Sequence, residues 1–162
     1  MGVSGSGKTT IASALARHLG REFRDGDGFH STENVAKMAR GQPLAVQDRE
    51  PWLDRIAAWL GGTPRGIVAC SALARSHRDR LRRAGPLLIL HLAITPPTAR
   101  ERVSRRVGHF MPVTLVDDQY ATLEPPSSDE PDVVRLDGEL PTPTLIAHAL
   151  SAVAVGAIPP TA

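Results

Sequence analysis

One cysteine and two lysines stand among the 162 residues. A lone cysteine, Cys70, can close no internal disulfide and has no partner thiols for a zinc site. It reads as a buried strand residue in a reducing compartment. No apolar run approaches the roughly 20 residues that cross a bilayer as a helix. The N-terminus opens on glycine and serine where a secretory signal would carry a charged and then an apolar stretch. A cytoplasmic protein without a membrane partner is expected. The net charge is +2 and basic residues are interleaved with acidic ones, so no basic stripe marks a nucleic-acid partner. Arginine far outnumbers lysine, a skew that a G+C-rich genome produces. Lys8 and Lys37 are then candidates for positions where a compact ammonium is chemically required, with an incidental surface lysine as the alternative for Lys37.

The apolar fraction of 41% supports a folded core, and the length suits one α/β domain. Ile11, Leu15 and Leu19 recur at helical spacing and Gly20 is a natural stop. An extended segment at Phe23 runs into Asp25-Gly26-Asp27, after which Ser31 caps a helix ending near Gly41. Leu53, Ile56, Ala57 and Leu60 mark the apolar face of a third helix, stopped at Gly61-Gly62. Residues 67–70 and 87–92 read as buried parallel strands, with an arginine-rich helix over 76–84 between them. Pro97 opens a helix carrying Ala99, Val103 and Val107, and helical spacing recurs up to Leu123. A loop over 125–131, a strand over 133–136 and a helix over 144–155 complete the pattern. Alternating strands and helices predict a parallel sheet flanked by helices, three layers in one domain over residues 1–156, with 157–162 as a disordered tail.

The segment Gly2-Val3-Ser4-Gly5-Ser6-Gly7-Lys8-Thr9 matches the phosphate-binding pattern G-x-x-x-x-G-K-[ST] and runs directly into a helix. Glycines let successive N–H groups converge on phosphate oxygens, and the helix N-terminus adds partial positive charge. Lys8 is expected to reach the β- and γ-phosphates of ATP and Thr9 to offer its hydroxyl to Mg²⁺. The nucleotide set is Gly2, Ser4, Gly5, Ser6, Gly7, Lys8, Thr9 and Thr10; a merely flexible loop is the alternative, disfavoured by the helix that follows. Asp25 and Asp27 fall where open α/β sheets place ligands. Asp25 can serve the metal shell while Asp27 orients an attacking hydroxyl, or the pair can form an Asp-Gly turn with solvated carboxylates.

The string DGDGFHSTENVAKMARGQPLAVQDREPWL from Asp25 to Leu53, with GVSGSGKT, CSALARSHRDRLR and GHFMPVTLVDDQYATLEPP, resembles the gluconokinase family of P-loop kinases from Gly2 to about Pro126. The resemblance implies the nucleoside-monophosphate/shikimate-kinase fold, a lid over about residues 104–125, a homodimer, and phosphorylation of gluconate by ATP. It places Asp27, His30, Lys37 and Arg49 at the acceptor. His30 as a helix-start residue and Arg49 as a surface pair remain alternatives. Arg78, followed by Asp79, either contacts the acceptor or forms a surface pair. Arg102 and Arg106 correspond to lid arginines on the ATP phosphates, with Lys8, Asp27 and Arg106 the catalytic set. A solvated helix face is the other reading of those arginines. The pattern is broken at Val46, where an acidic residue is usual, at Ala74, usually lysine, and at His77, usually aromatic. A kinase for another small hydroxylated acid of shikimate type, or a nucleotide-binding module without catalysis, are the rival functions.

A P-loop joins a buried strand to a helix, yet only Met1 precedes Gly2. The expectation is a native protein about five to ten residues longer at this end, rich in Val, Ile or Leu.

Overall fold

The computed structural model describes residues 1–105 and 114–156. Helix α1 spans Lys8–Leu19. After it come β1 at Phe23–Asp25, a 3₁₀ turn at Gly26–Phe29, α2 at Thr32–Ala39 and α3 at Val46–Gly62. The chain continues through β2 (Ile67–Ala69), α4 (Arg75–Leu81) with a 3₁₀ turn at Arg82–Ala84, and β3 (Ile89–Ala93). Helices α5 (Pro96–Ser104) and α6 (Thr114–Thr122) precede β4 (Val133–Asp137) and α7 (Thr142–Val155). The predicted elements are present with shifted ends; Cys70 is buried but lies one residue past β2.

Local chemistry sets several of these boundaries. α1 ends where Gly20 turns left-handed at φ 61° and its N–H reaches the Ala16 carbonyl. The Ser31 hydroxyl accepts the Asn34 N–H at 3.2 Å, capping α2 as its sequence implied. α3 begins well before its apolar face, because the Asp48 carboxylate accepts the Ala45 N–H at 3.0 Å and closes the first turn.

The strands pair in parallel as β1 with β2 and β3 with β4, in registers Phe23↔Ile67 and Ile89↔Val133. Met1 and Gly2 lie between the two pairs. The Met1 ammonium donates to the Leu90 carbonyl, the Leu92 N–H donates to Met1 at 2.9 Å, and the Gly2 N–H donates to Ser71 at 3.1 Å. Among the described residues, these two alone occupy the place where the sequence led us to expect a central strand.

Helices cover both faces. On one, Ile11 and Leu15 of α1 meet Leu145 and Ala149 of α7 over Leu92 and Leu136. On the other, Trp52, Leu53 and Ile56 of α3 pack on Cys70, Ala72 and Leu81. Consecutive residues of β2 join opposite cores, Ile67 the first and Val68 the second, as the pleat of a strand dictates. A third cluster of Val3, Leu73, Ala99, Val103 and Val116 seats α5 and α6 under the root of the loop before α1.

Candidate active site

The loop before α1 is held open by backbone conformations that side chains would obstruct. Gly5 has φ 82°, and a Cβ there would sit 2.9 Å from the Ala99 carbonyl oxygen; Gly7 has φ 87° immediately before the helix. Both positions require glycine. The result is a concave run of N–H groups at the positive end of α1, an anion cradle. Lys8 folds its ammonium back over this loop and donates to the Val3 carbonyl at 2.9 Å.

Not every residue of the motif faces this cradle. The Gly2 N–H is engaged by Ser71 in the sheet, and the Ser4 N–H donates to Gln119 Oε1 at 2.6 Å. Ser6 is 1% exposed, with a buried hydroxyl that has no partner among the described residues, and it lines a second cleft together with Thr10.

Asp25 is fixed through both carboxylate oxygens. Oδ2 accepts the Thr9 hydroxyl at 2.8 Å and Oδ1 accepts the Asp27 N–H at 3.0 Å. The chain therefore turns at Gly26 and does not continue extended. Gly26 permits the turn: a Cβ there would stand 2.5 Å from the Ala69 carbonyl. Even so, Asp25 and Asp27 both line one cleft of about 230 Å³ that also contains Gly5, Gly7, Lys8 and Thr9. The Thr9–Asp25 pair presents hard oxygen donors at the phosphate cradle, which suits Mg²⁺, an ion that takes few protein ligands and completes its shell with water and phosphate. Among the described residues no cluster of three or more His, Cys, Asp or Glu forms a self-sufficient metal site.

α3 holds the turn at both ends. Trp52 Nε1 donates to the Gly26 carbonyl at 2.7 Å, and Arg55 Nε donates to the Phe29 carbonyl at 2.7 Å. His30 stacks on Trp52 with ring centroids 4.4 Å apart and planes 11° from parallel. Burial, helped by the nearby Arg55 charge, pushes the His30 pKa down to about 4, so the ring is neutral in the cleft. Arg49 lines the same cleft, and its guanidinium makes no hydrogen bond or ion pair among the described residues. Burial lowers its pKa, opposed by the charges of Asp48 and Asp118.

Two of the expected acceptor residues are engaged elsewhere. The Lys37 ammonium pairs with Asp48 Oδ1 at 2.7 Å and is absent from the cleft lining. With the Asn34 side-chain amide donating to the Asp48 carbonyl at 2.8 Å, it fastens α2 to the start of α3. Arg78 is 1% exposed, grips Glu130 through Nε (2.7 Å) and Nη2 (2.6 Å), and donates from Nη1 to the carbonyls of Leu73 (3.0 Å) and Glu124 (3.2 Å). It is a buried clamp and neither a surface pair nor a cleft residue. Arg102 borders the second cleft, of about 340 Å³, where Nη1 donates to the Gly138 carbonyl at 3.0 Å. Arg106, His109 and Phe110 lie outside the described residues.

Trp52, Arg55, His77, Asp118, Gln119 and Thr122 were not assigned to the site from sequence. Trp52 and Arg55 sit one helical turn apart in EPWLDR, a spacing that puts both on one face. The contribution of α6 leaves no comparable local signal, because Gln119 reaches Ser4 across 115 residues of chain.

Comparison with known proteins places these features among relatives. A sequence-family profile described as shikimate kinase matches residues 4–123. The chain is 46% identical over 144 residues to the gluconokinase of Gluconobacter oxydans (strain 621H), covering 86% of this chain and 80% of that one. It is 44% identical over 142 residues to the thermosensitive gluconokinase of Escherichia coli (strain K12), covering 85% and 76%. A solved gluconokinase from Sinorhizobium meliloti 1021 superimposes with a TM-score of 0.86 at 41% identity, over 96% of this chain and 89% of that one.

Proposed function

Since the chain belongs to the gluconokinase family of shikimate-kinase-like P-loop kinases, we infer that it transfers the γ-phosphoryl group of ATP to D-gluconate, giving 6-phospho-D-gluconate and ADP. The observation that carries this reading is one cleft that joins the phosphate cradle, Lys8 and Thr9 to Asp25, Asp27, His30 and Arg49.

In this reading the N–H groups from Gly5 to Thr9 hold the phosphates, and Lys8 moves from Val3 to the β- and γ-phosphates. Thr9 and Asp25 would hold Mg²⁺, which would supply positive charge against the charge developing on the phosphates. Asp27 accepts a hydrogen bond from the acceptor hydroxyl and points its oxygen at the γ-phosphorus. As that O–P bond forms, the bond to the bridging β–γ oxygen breaks and ADP leaves. The hydroxyl proton passes to Asp27 and then to water. Arg49 and the neutral His30 hold the acid, a carboxylate calling for cationic donors and hydroxyls for neutral ones. Arg102, and Arg106 with it, stabilise the phosphate end. The family resemblance further supports a homodimer working in the cytoplasm, as one kinase domain with residues 104–125 as its lid. No helix among the described residues is long and apolar enough to cross a membrane.

Release of ADP with gluconate, above the rate without it, is the expected result in a Mg²⁺-containing assay. Release only with another hydroxy acid would replace the acceptor, and no release from a folded, ATP-binding protein would remove the kinase reading.

A further inference from the structure

Helix α4 opens on the acceptor cleft, and its third residue is a histidine that the reading above leaves without a role. His77 lines the cleft together with Arg49 of α3 and Asp118 and Thr122 of α6. Its Nδ1 accepts the Ala74 N–H at 3.3 Å, the reciprocal contact that a glutamate or glutamine makes three residues into a capped helix. A ring nitrogen that accepts carries no proton, so the neutral ring carries it on Nε2. Protonating Nδ1 would set two N–H groups against each other. Burial and the adjacent Arg49 charge lower the His77 pKa, with Glu124 opposing, and both effects favour the neutral form. Among the described residues none accepts from Nε2. His77 thus offers one directed, neutral donor beside Arg49, a half-buried guanidinium that is itself without a bonded partner among the described residues.

We propose that His77 binds the acceptor and sets its specificity, its Nε2–H donating to the carboxylate end of the sugar acid while Arg49 supplies the opposing charge. The proposal rests on the gluconokinase reading and adds a residue to it. The two ends of the acceptor are then told apart by chemistry: donors at Arg49 and His77 take the carboxylate, and the Asp27 carboxylate takes the hydroxyl to be phosphorylated. Ala74, one turn before His77, has no side-chain donor, so this interaction falls to the imidazole.

The test compares His77→Phe, which keeps a ring and loses both nitrogens, with His77→Gln, which can accept from Ala74 and still donate into the cleft. In His77→Phe the KM for gluconate is expected to rise about tenfold, the scale of one hydrogen bond to a charged group. Its KM for ATP should be unchanged and kcat should stay within about threefold. His77→Gln should restore the gluconate KM to within about threefold of the parent. Equal KM values in all three proteins, or equal impairment of both variants, would overturn the proposal, as would a parallel rise in the KM for ATP. Should the phenylalanine variant not fold, the native chain serves: in imidazole ¹H–¹⁵N spectra the protonated Nε2 of His77 should shift as gluconate is titrated, and an unmoved resonance at saturation would overturn it. Native protein that turns over gluconate with an unmoved His77 removes only this inference. Native protein that does not turn over gluconate removes the proposed function beneath it.

Discussion

Asp25 and Asp27 are two residues apart and differ in exposure. Both oxygens of Asp25 are engaged, by the Thr9 hydroxyl and the Asp27 N–H, whereas Asp27 is exposed on the cleft. Asp27→Asn keeps the shape and removes the proton acceptor. Turnover is expected to fall roughly a hundredfold or more with ATP affinity preserved, as titration calorimetry alongside kcat would read; equal loss of ATP affinity would assign Asp27 to metal binding or structure. The buried histidines make a second prediction. Burial, first among the causes, pushes His30 and His91 down to about 4 from an unfolded value of 6.5. Below pH 6.5 the unfolded chain takes up protons that the folded chain refuses, so stability falls as pH drops from 6.5 toward 4. The loss is about 1–2 kcal/mol per ring, least for His30, whose ring is partly open to solvent. Urea midpoints at pH 7.5 and 5.0 should show the drop, and a constant midpoint would contradict it. Asp27, His30 and Arg49, which the fold brings to one cleft, lie in one continuous string of the sequence. The contacts that Lys37 and Arg78 make with Asp48 and Glu130 are chosen by the fold and leave no local trace.

At the scale of elements, the cleft is braced by contacts distant in sequence. Arg78 and Arg82 both reach Glu130, and their hydrogen bonds, those of Arg78 most, pull its pKa down to about 2 against burial, which acts to raise it. The same Arg78 binds the carbonyls of Leu73, on the cleft, and Glu124, just past α6, so the clamp ties the cleft floor to the end of α6. Glu130→Gln leaves the Arg78 charge buried without its counter-ion and is expected to cost about 3–5 kcal/mol. Denaturant unfolding measures this, and a loss below about 1 kcal/mol would show that the clamp contributes little. Helical periodicity and glycine stops made most elements legible in advance. Where the sequence reading slipped, the pattern itself was silent: the first turn of α3 carries Val46, 66% exposed, and no apolar stripe. The Asp25-Gly26-Asp27 triplet suits both an extended chain and a turn, and only the Trp52 and Arg55 bonds to the turn's two ends decide between them.

The whole molecule divides into two strand pairs bridged by Met1 and Gly2. One cleft is lined by the start of α1, Arg102 and Gly138; the other by the 3₁₀ turn, α3 and the start of α4. Gly5 and Gly7 line both clefts, with Lys8, Thr9 and Asp25 on the side of the latter; on the proposed reading this is where a phosphoryl group would cross. The alternation of strands and helices and the P-loop were enough to anticipate this layout, whereas the part α6 plays in the cleft depends on tertiary packing at Val116 and Gln119 that no local pattern encodes. The most direct measurement is to incubate the folded protein with Mg²⁺, ATP and D-gluconate and to determine the product's mass and site of phosphorylation. Stoichiometric 6-phospho-D-gluconate and ADP are expected; unreacted gluconate beside protein that binds ATP, or phosphate transfer only to a different acid, would contradict the assignment.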